Sequence, residues 1–531
     1  MGNAMSSERR AKGIFVAIVV WCIILFALGA LYKFVIRPYF AGRLETSTGS
    51  ESQYEHTVRV ALDSFSGYCI LRSPAVRDQL KTEHIKLDFV DDQADYASRM
   101  KALRAGDVDM AVFTVDSFVL NGAKQGDFPA SIILVIDETK GADAIVAHQE
   151  GVKSIRDLDS PDARFVMTPD SPSEFLARIV IAHFSLPSLP EHWWIESDGA
   201  GDVYKAFRAA RETDKRAYVL WEPYVSKALE EPGAHVLIDS SKLKGYIVDV
   251  LVAERRFLRE HPDTAAAVVD AYLRAAFSYA GRDGALADLV AEDAKTYGAG
   301  ALKAADAEKI ASGIQWKNTL ENYAHFGLLP QAESRGLPHL EDIIANISDV
   351  LTKTGAFEED PLGAKASTIF YDRILRDLQA QDFHPGRKLD ILDSAAVGLP
   401  GLAGVRVEAV LPALSEAQWA SLVPVGELRI KPIMFGRGTA RLNVQSRREL
   451  EHVVKRLRSF PQYYLVVRGH ALAKGDPEAN ARLAEERATV TAQTLIEMGL
   501  EKDRIKAGGV EPSAGNGSAQ SVSFLVGQLP F

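Results

Sequence analysis

Polar and aromatic side chains follow several predicted strands of this chain, and their chemistry is that of ligand binding. The carboxyl ends of strands, and the loops after them, are the usual ligand positions in an open α/β sheet. Trp221 offers a face on which a flat ligand can stack, and Glu222 a partner for an amine. The candidate ligand-binding residues are Ser64, Phe65, Tyr68, Thr114, Asp116, Glu138, Asp143, Ser171, Ser173, Trp221 and Glu222. Their acidic members favour a ligand with a cationic or N–H donor group.

Several of these residues also suit a purely structural role. Asp116 and Asp137 lie where an Asp commonly caps a helix. Ser171, Pro172 and Glu174 fit a capping box with proline at the first helical position. The exposed N–H groups of a helix start also bind anions, so both interpretations of this loop stay open. Trp221 would equally suit a core position.

The sequence contains none of the common catalytic motifs. A Gly-x-Ser-x-Gly turn, an HExxH pair and a phosphate loop are all absent from the sequence. The twelve histidines are scattered without the spacing of metal ligands. A net charge of −10 excludes nonspecific nucleic-acid binding. We therefore expect a protein that is not an enzyme and that needs neither a cofactor nor a metal.

The elements that must position these residues alternate between strands and helices. Apolar alternation predicts strands at 58–62, 85–90 and 110–113, with a helix near 94–105 between the last two. This order predicts an α/β layer fold with a mostly parallel sheet up to about residue 355. A connector follows at 356–424, with a helix near 367–379. The pattern at 425–531 predicts the order strand, helix, strand, helix, strand.

The N-terminal region predicts a membrane anchor. Residues 14–32 form a run of 19 residues without charge or proline, which is long enough to cross a bilayer. We expect a cytoplasmic segment at 1–12, a transmembrane helix at 13–36 and a polar tether at 37–56. Together with the two domain resemblances below, this anchor implies that the bulk of the chain lies in the bacterial periplasm, attached to the inner membrane.

Four segments of the middle region resemble periplasmic solute-binding proteins of the taurine, alkanesulfonate and thiamine-precursor class. They are RAGDVDMAVFTVD at 104–116, VIDETKGADAIVA at 135–147, AYVLWEP at 217–223 and YIVDVLV at 246–252. The resemblance implies two α/β lobes that close on a small molecule. Lobe one would comprise 57–148 and 250–355, and lobe two 149–249. Some relatives with this fold are enzymes with a cysteine-rich iron-binding motif, but only Cys69 is available outside the membrane segment.

The C-terminal unit resembles the OmpA-like peptidoglycan-binding domain. The resemblance rests on the strand that ends at Gly469-His470 and on Asn480-x-x-Leu483-x-x-x-Arg487-Ala488 in the next helix. In that family an Asp and an Arg bind the diaminopimelate of the wall peptide. Arg487 matches the Arg, with Asn480 beside it.

One position of that family pattern is different here. Leu472 replaces the Asp, and a leucine cannot accept a hydrogen bond from an ammonium group. Asp476 lies close by, but it suits the N-cap of the helix that starts at Pro477.

The resemblances together imply an anchored solute receptor, connected to the wall and associated with a transporter or a signalling partner. The alternative is a structural envelope scaffold with a vestigial cleft, whose C-terminal domain mediates protein contacts.

Overall fold

The computed structural model describes residues 54–297, 301–330, 336–385, 411–436, 438–470, 476–509 and 522–529. The predicted membrane helix and most of the tether lie outside these ranges. Within them, none of the helices combines the length and the apolar character that crossing a membrane requires.

The first α/β layer, which we call lobe one, is built on a mixed sheet. Its described strands run in the order β11-β4-β10-β3-β1-β2. They are β1 His56–Leu62, β2 Ile85–Asp91, β3 Met110–Thr114, β4 Ala130–Thr139, β10 Val248–Glu254 and β11 Ile314–Trp316. The helices of the chain up to β4 are α1 Cys69–Arg72, α2 Pro74–Thr82, α3 Tyr96–Ala105 and α4 Val115–Lys124.

The expectation of a mostly parallel sheet was wrong for this lobe. Strand β1 pairs in parallel with β2 and β3, but β10 runs antiparallel to both β3 and β4. Strand β11 is also antiparallel to β4. The reason is that β10 returns from the second lobe and enters the centre of the sheet from the opposite end.

The second layer, lobe two, carries a sheet of order β7-β6-β8-β5-β9 among the residues described. Its strands are β5 Asp143–His148, β6 Arg164–Met167, β7 Trp194–Glu196, β8 Arg216–Trp221 and β9 Ala234–Asp239. Its helices are α5 Pro172–His183, α6 Gly199–Ala209 and α7 Tyr224–Leu229.

The chain crosses between the lobes earlier than the sequence predicted. Strand β5 pairs with β8 and β9, so it belongs to lobe two, whereas the predicted boundary at 148 put it in lobe one. The crossing occurs at 140–142, where Gly141 has a φ of 114°, a conformation that favours glycine. The chain returns between β9 and β10, at 240–247.

Helices after β10 complete lobe one and cover its sheet. They are α8 Arg255–Glu260, α9 Pro262–Ala280, α10 Ala285–Thr296, α11 Ala304–Ser312, α12 Thr319–His325 and α13 Leu340–Lys353. The helix predicted near 367–379 is α14, which spans Arg373–Ala380. This part of the connector rests on lobe one, because Tyr371 N donates to Ile132 O at 2.8 Å.

The C-terminal module is a third α/β unit. Its sheet has the order β12-β15-β13-β14, with β12 Val423–Glu427, β13 Tyr464–Gly469, β14 Ile505–Gly509 and β15 Val522–Gln528. The helices are α15 Glu416–Ala420, α16 Val444–Arg458 and α17 Pro477–Glu497. On α16 the apolar side chains of Leu450, Val453, Val454 and Leu457 are buried. The order from β12 to β14 is the predicted strand, helix, strand, helix, strand, but helix α15 precedes it and a fourth strand, β15, was not predicted.

The C-terminal module packs directly on lobe two. Arg429 N donates to His183 O at 2.7 Å, and Ser185 N donates to Glu427 O at 2.9 Å. Gly426 permits this approach, since a Cβ there would lie 2.4 Å from Phe184 Cδ1. Phe460 lies between the two units, with its ring centroid 5.1 Å from that of His183.

Candidate functional site

A small cavity lies between the lobes, and residues from both lobes line it. Its volume is about 40 Å³ in this conformation. We call it the inter-lobe cavity. Lobe one and the return segment contribute Asp63, Phe65, Tyr68, Ala94, Tyr96, Thr114, Thr139, Ile247 and Asp249, and lobe two contributes Asp143, Ser171, Pro172 and Trp221. Six predicted ligand-binding residues are therefore brought together: Phe65, Tyr68, Thr114, Asp143, Ser171 and Trp221.

The lobes are closed over this space. Lys124 at the end of α4 forms an ion pair with Asp170 in the loop before α5. On the other side, Lys309 Nζ donates to Ser226 Oγ at 2.6 Å and lies 3.7 Å from Glu222 Oε1. A volume of about 40 Å³ holds about three water molecules, since one needs roughly 10–15 Å³. A larger ligand requires the lobes to separate.

Hydrogen-bond acceptors without donors are the main polar feature of the cavity. Asp143 Oδ2, Asp249 Oδ2 and Thr139 Oγ1 are buried and have no hydrogen-bond partner. Tyr68 OH donates to Asp249 Oδ1 at 2.7 Å, which leaves the second oxygen free. Among the described lining residues there is neither a lysine nor an arginine. Buried acceptors of this kind are costly unless a donor meets them.

Two further carboxyl groups lie behind the cavity wall. Asp137, in β4, has both oxygens buried, and it lies so near Gly67 that a Cβ there would be 2.5 Å from Asp137 Oδ2. Asp116, in the first turn of α4, also has both oxygens buried without a hydrogen bond. The helix-cap alternative was therefore wrong for both: Asp137 is a strand residue, and the side chain of Asp116 caps nothing.

Burial changes the protonation of these groups. It raises the pKa of Asp116 to about 8 and that of Asp143 to about 6. Burial also raises the pKa values of Asp137 and Asp249, and the charge of Asp137 raises that of Asp249 further. Part of the acidic groups in and behind the closed cavity therefore stays protonated near neutral pH, because burial disfavours the carboxylate form.

Aromatic rings form the apolar part of the cavity. The rings of Phe65 and Tyr68 are in edge contact, with centroids 5.3 Å apart. Tyr96 and Trp221 complete the set, one from each lobe. Aromatic faces beside carboxylates attract organic cations, because the ring quadrupole and the anion both favour positive charge.

Asp63 differs from the other acidic lining residues, because a buried arginine outside the cavity lining neutralises its charge. Arg99, which is 1 % exposed, donates through Nη2 to Asp63 Oδ2 at 2.9 Å. The same guanidinium also donates to Asp92, with 2.6 Å between Arg99 Nε and Asp92 Oδ2. Asp63 also accepts from Phe65 N at 3.0 Å and so orients the loop that carries Phe65.

The remaining predicted residues lie outside the lining of the inter-lobe cavity. Glu138 is held by Lys317 at 2.8 Å and Lys140 at 3.0 Å, and despite its burial these cations keep its pKa below the usual range. Glu222 accepts from Ser226 Oγ at 2.8 Å, so its carboxylate faces helix α7, which follows it in the chain. Ser173 is buried in α5, and Ser64 belongs to the loop after β1 without lining the cavity.

The helix start at Ser171 is capped in a different way from the predicted box. Ser171 Oγ accepts from Ser173 N at 3.2 Å. Glu174 Oε2 accepts from Asp170 N at 2.7 Å rather than from the N-cap residue, and its other oxygen binds Arg178. The loop therefore has a complete structural role, and Ser171 still reaches the cavity.

Asp249 and Tyr96 are the main lining residues that the candidate set did not include. A signal for Asp249 existed, because it interrupts the apolar run YIVDVLV. A charged residue within a buried strand requires a partner or a function. No comparable signal marks Tyr96. The described residues contain no group of His, Cys, Asp and Glu side chains arranged to hold a metal ion.

The candidate wall-binding residues lie on α17 of the C-terminal module. Arg487 is 2 % exposed, with its guanidinium carbon 5.1 Å from the centroid of the Phe435 ring. Its Nε donates to Thr439 O at 3.1 Å, and no carboxylate of the described residues is within ion-pair distance. Asp476 is the N-cap of α17, accepting from Glu478 N at 3.0 Å. Asn480 is one turn further along, and Leu472 falls outside the described residues.

Solved structures of similar fold include periplasmic binding proteins. The alkanesulfonate-binding protein SsuA from Xanthomonas axonopodis pv. citri is 14% identical over 59% of this chain and 98% of its own, with a TM-score of 0.45. The aliphatic sulphonate binding protein SsuA from Escherichia coli is 15% identical over 60% and 92%, with a TM-score of 0.44. The nitrate-binding protein NrtA from Synechocystis PCC 6803 is 11% identical over 62% and 89%, with a TM-score of 0.45. At these values the likeness says nothing about ligand or activity.

The C-terminal module is the part with a family match. No curated protein matches the chain. Residues 434–523, by contrast, match the model of the OmpA family. The chain thus joins a two-lobed α/β unit to a C-terminal module that matches the OmpA family model over residues 434–523.

Proposed function

We propose that the protein is a solute receptor of the bacterial envelope. It binds a compact solute bearing an ammonium or other N–H donor group between its lobes, and its OmpA domain holds it at the cell wall. Anchoring by residues 14–32 in the inner membrane, with the remainder in the periplasm, is part of this proposal. So is association with a membrane transporter or a signalling partner.

The observation that carries the proposal is the set of buried, unpaired acceptors in the inter-lobe cavity. Asp143, Asp249 and Thr139 supply oxygens, and the rings of Phe65 and Trp221 supply the apolar faces. A ligand N–H group placed there would satisfy acceptors that the protein leaves unmet. A sulfonate or nitrate ion would instead face carboxylates with no lysine or arginine among the described lining residues.

We expect N–H donor solutes to raise the melting temperature of the purified full-length protein. The screen would compare amines, amino acids and pyrimidines with sulfonates and phosphate. A ligand at 100 times its Kd should stabilise the native state by about 2.7 kcal/mol. Asp143→Asn should weaken binding by about 1.5–3 kcal/mol, because a charge-assisted hydrogen bond is lost. Binding should strengthen as the pH rises through about 6, where Asp143 ionises.

Asp78→Asn is the matched control, since Asp78 is exposed on α2 and does not line the inter-lobe cavity. It should leave the affinity unchanged. Stabilisation by sulfonates alone would contradict the proposed ligand chemistry. If no compound in the screen stabilises the protein, the scaffold alternative with a vestigial cleft becomes the better description.

We expect Arg487→Ala to reduce sedimentation of the full-length protein with purified peptidoglycan. Removal of a charge-assisted contact should cost about 1.5–3 kcal/mol, or roughly tenfold or more in affinity. Arg482→Ala, on the exposed side of the same helix, is the control and should sediment like the wild type. Leu472→Asp should strengthen binding. A wild-type protein that fails to sediment would favour a role of this domain in protein contact.

A further inference from the structure

A second, larger cavity lies where lobe two, helix α13 and the C-terminal module meet, and we call it the junction cavity. Its volume is about 610 Å³. Its walls come from the end of α5, Tyr246, the second half of α13, residues 429–431 and the second half of α16. This recess is far larger than the inter-lobe cavity, shares none of its lining residues, and offers space for a small organic molecule.

The junction cavity is strongly basic within an acidic protein. Five cationic side chains line it, Lys353, Arg429, Lys431, Lys455 and Arg456, against two carboxylates, Asp349 and Glu449. The chain as a whole has a net charge of −10. A recess lined by charges of one sign concentrates the field and attracts counter-ions.

Its two carboxylates already have partners. Asp349 Oδ2 lies 2.6 Å from Lys353 Nζ, one turn away on α13. Glu449 Oε1 accepts from the backbone N–H of Lys431 at 3.1 Å. In the described part of the chain, no carboxylate lies within ion-pair distance of Arg429, Lys431, Lys455 or Arg456. These four side chains therefore have unused capacity to bind an anion.

Arg456 is the innermost of these cations. It is half-buried, and its Nη1 donates to Arg429 O rather than to a carboxylate. Burial lowers the pKa of its guanidinium, although the group stays charged at neutral pH. A half-buried guanidinium without an acidic partner is costly to keep unless an anion meets it.

The cavity wall is held in place by the contacts of the module junction. Lys244 N donates to Ser459 O at 2.9 Å, just after α16 ends. Phe460, the next residue, packs against Tyr246 with ring centroids 6.2 Å apart. Tyr246 OH in turn hydrogen-bonds His183 Nε2 at 2.7 Å. Because both modules contribute to the wall, an anion in this recess would contact them together.

We propose that the junction cavity binds a small multivalent oxyanion that carries phosphate or carboxylate groups. Arg456 supplies a half-buried guanidinium and Arg429 an exposed one, and Lys431 and Lys455 supply ammonium groups at the exposed rim. Guanidinium groups bind two oxygens of such an anion at once, and an ammonium acts as a point charge. The bound anion joins the C-terminal module to lobe two.

Calorimetric titration of the full-length protein with inorganic pyrophosphate at constant ionic strength tests this site. We expect saturable binding in the wild type. Lys431→Gln combined with Lys455→Gln should weaken it roughly tenfold, because two charge-assisted contacts are lost from exposed side chains that make no other ion pair. Arg456→Gln should weaken it at least as much.

Arg256→Gln combined with Arg259→Gln is the control for loss of two positive charges, since both lie in a separate basic hollow on lobe one. This variant should bind pyrophosphate like the wild type. Absence of saturable heat, or an equal loss in the control variant, would overturn the proposal. Asp143→Asn should not alter this titration, which keeps the test independent of solute binding in the inter-lobe cavity.

Discussion

Replacing Arg99 with methionine is expected to lower the free energy of unfolding by about 3–5 kcal/mol. The Arg99 guanidinium is buried and ion-paired with Asp63 at 2.9 Å and with Asp92 at 2.5 Å. Methionine fills a similar volume but leaves both carboxylates without their cation. Chemical denaturation of the full-length protein would measure the loss.

Arg104→Met, at the other end of the same helix, is the matched control. Its ion pair with Asp127 is long, at 3.5 Å, and both side chains are exposed. Exposed pairs of this kind contribute about 0–1 kcal/mol. If the two variants lose equal stability, Arg99 does not have the buried, charge-paired role that its contacts indicate. A loss confined to Arg99→Met would support the interpretation that Arg99 holds the Asp63 carboxylate in place at the cavity.

Asp116 should contribute a fall in the stability of the ligand-free protein as the pH rises from about 4 to about 8. In the native state the pKa of Asp116 is raised to about 8, so the folded protein retains a proton that the unfolded chain releases near its ordinary value of 3.8. Where the native state binds more protons, stability decreases with pH. Asp143, with a pKa of about 6, contributes in the same direction over a narrower range.

Asp116→Asn should remove most of this dependence. A pKa shift of one unit corresponds to about 1.4 kcal/mol, so the shift of Asp116 sets an upper bound of about 6 kcal/mol on the stability that the variant gains near pH 8, with little difference near pH 4. Urea denaturation across this pH range would show it. Asp78→Asn, which removes an exposed carboxylate, should keep the wild-type slope. An unchanged slope in Asp116→Asn would mean that Asp116 is ionised throughout the range.

The sequence predicted the architecture well because that information is local. Alternating apolar residues identify strands such as 58–62, and helical periodicity identifies α16, without any knowledge of their partners. The direction of the strands depends on which elements meet in space. Strand β10 is the clearest case, since its neighbours in the sheet are 110–143 residues earlier in the chain, in β3 and β4.

The candidate site was predicted only in part for a related reason. Asp143 and Trp221 lie in segments that resemble the solute-binding proteins and were found, whereas the pairing of Glu138 with Lys317 spans 179 residues. That ion pair neutralises one predicted ligand residue. Asp249 pairs across 181 residues with Tyr68. Such contacts decide which acidic groups remain available, and they cannot be inferred from spacing along the chain.

The docking of the C-terminal module at Phe184 and Gly426 has a mechanical consequence. Its backbone hydrogen bonds reach residues 183–185 of lobe two and residue 244 in the return crossing. If the module is fixed to the cell wall, as proposed, lobe two would be the stationary lobe. Opening and closing of the cleft would then displace lobe one. A neighbouring protein in contact with the outer surface of lobe one could respond to that displacement.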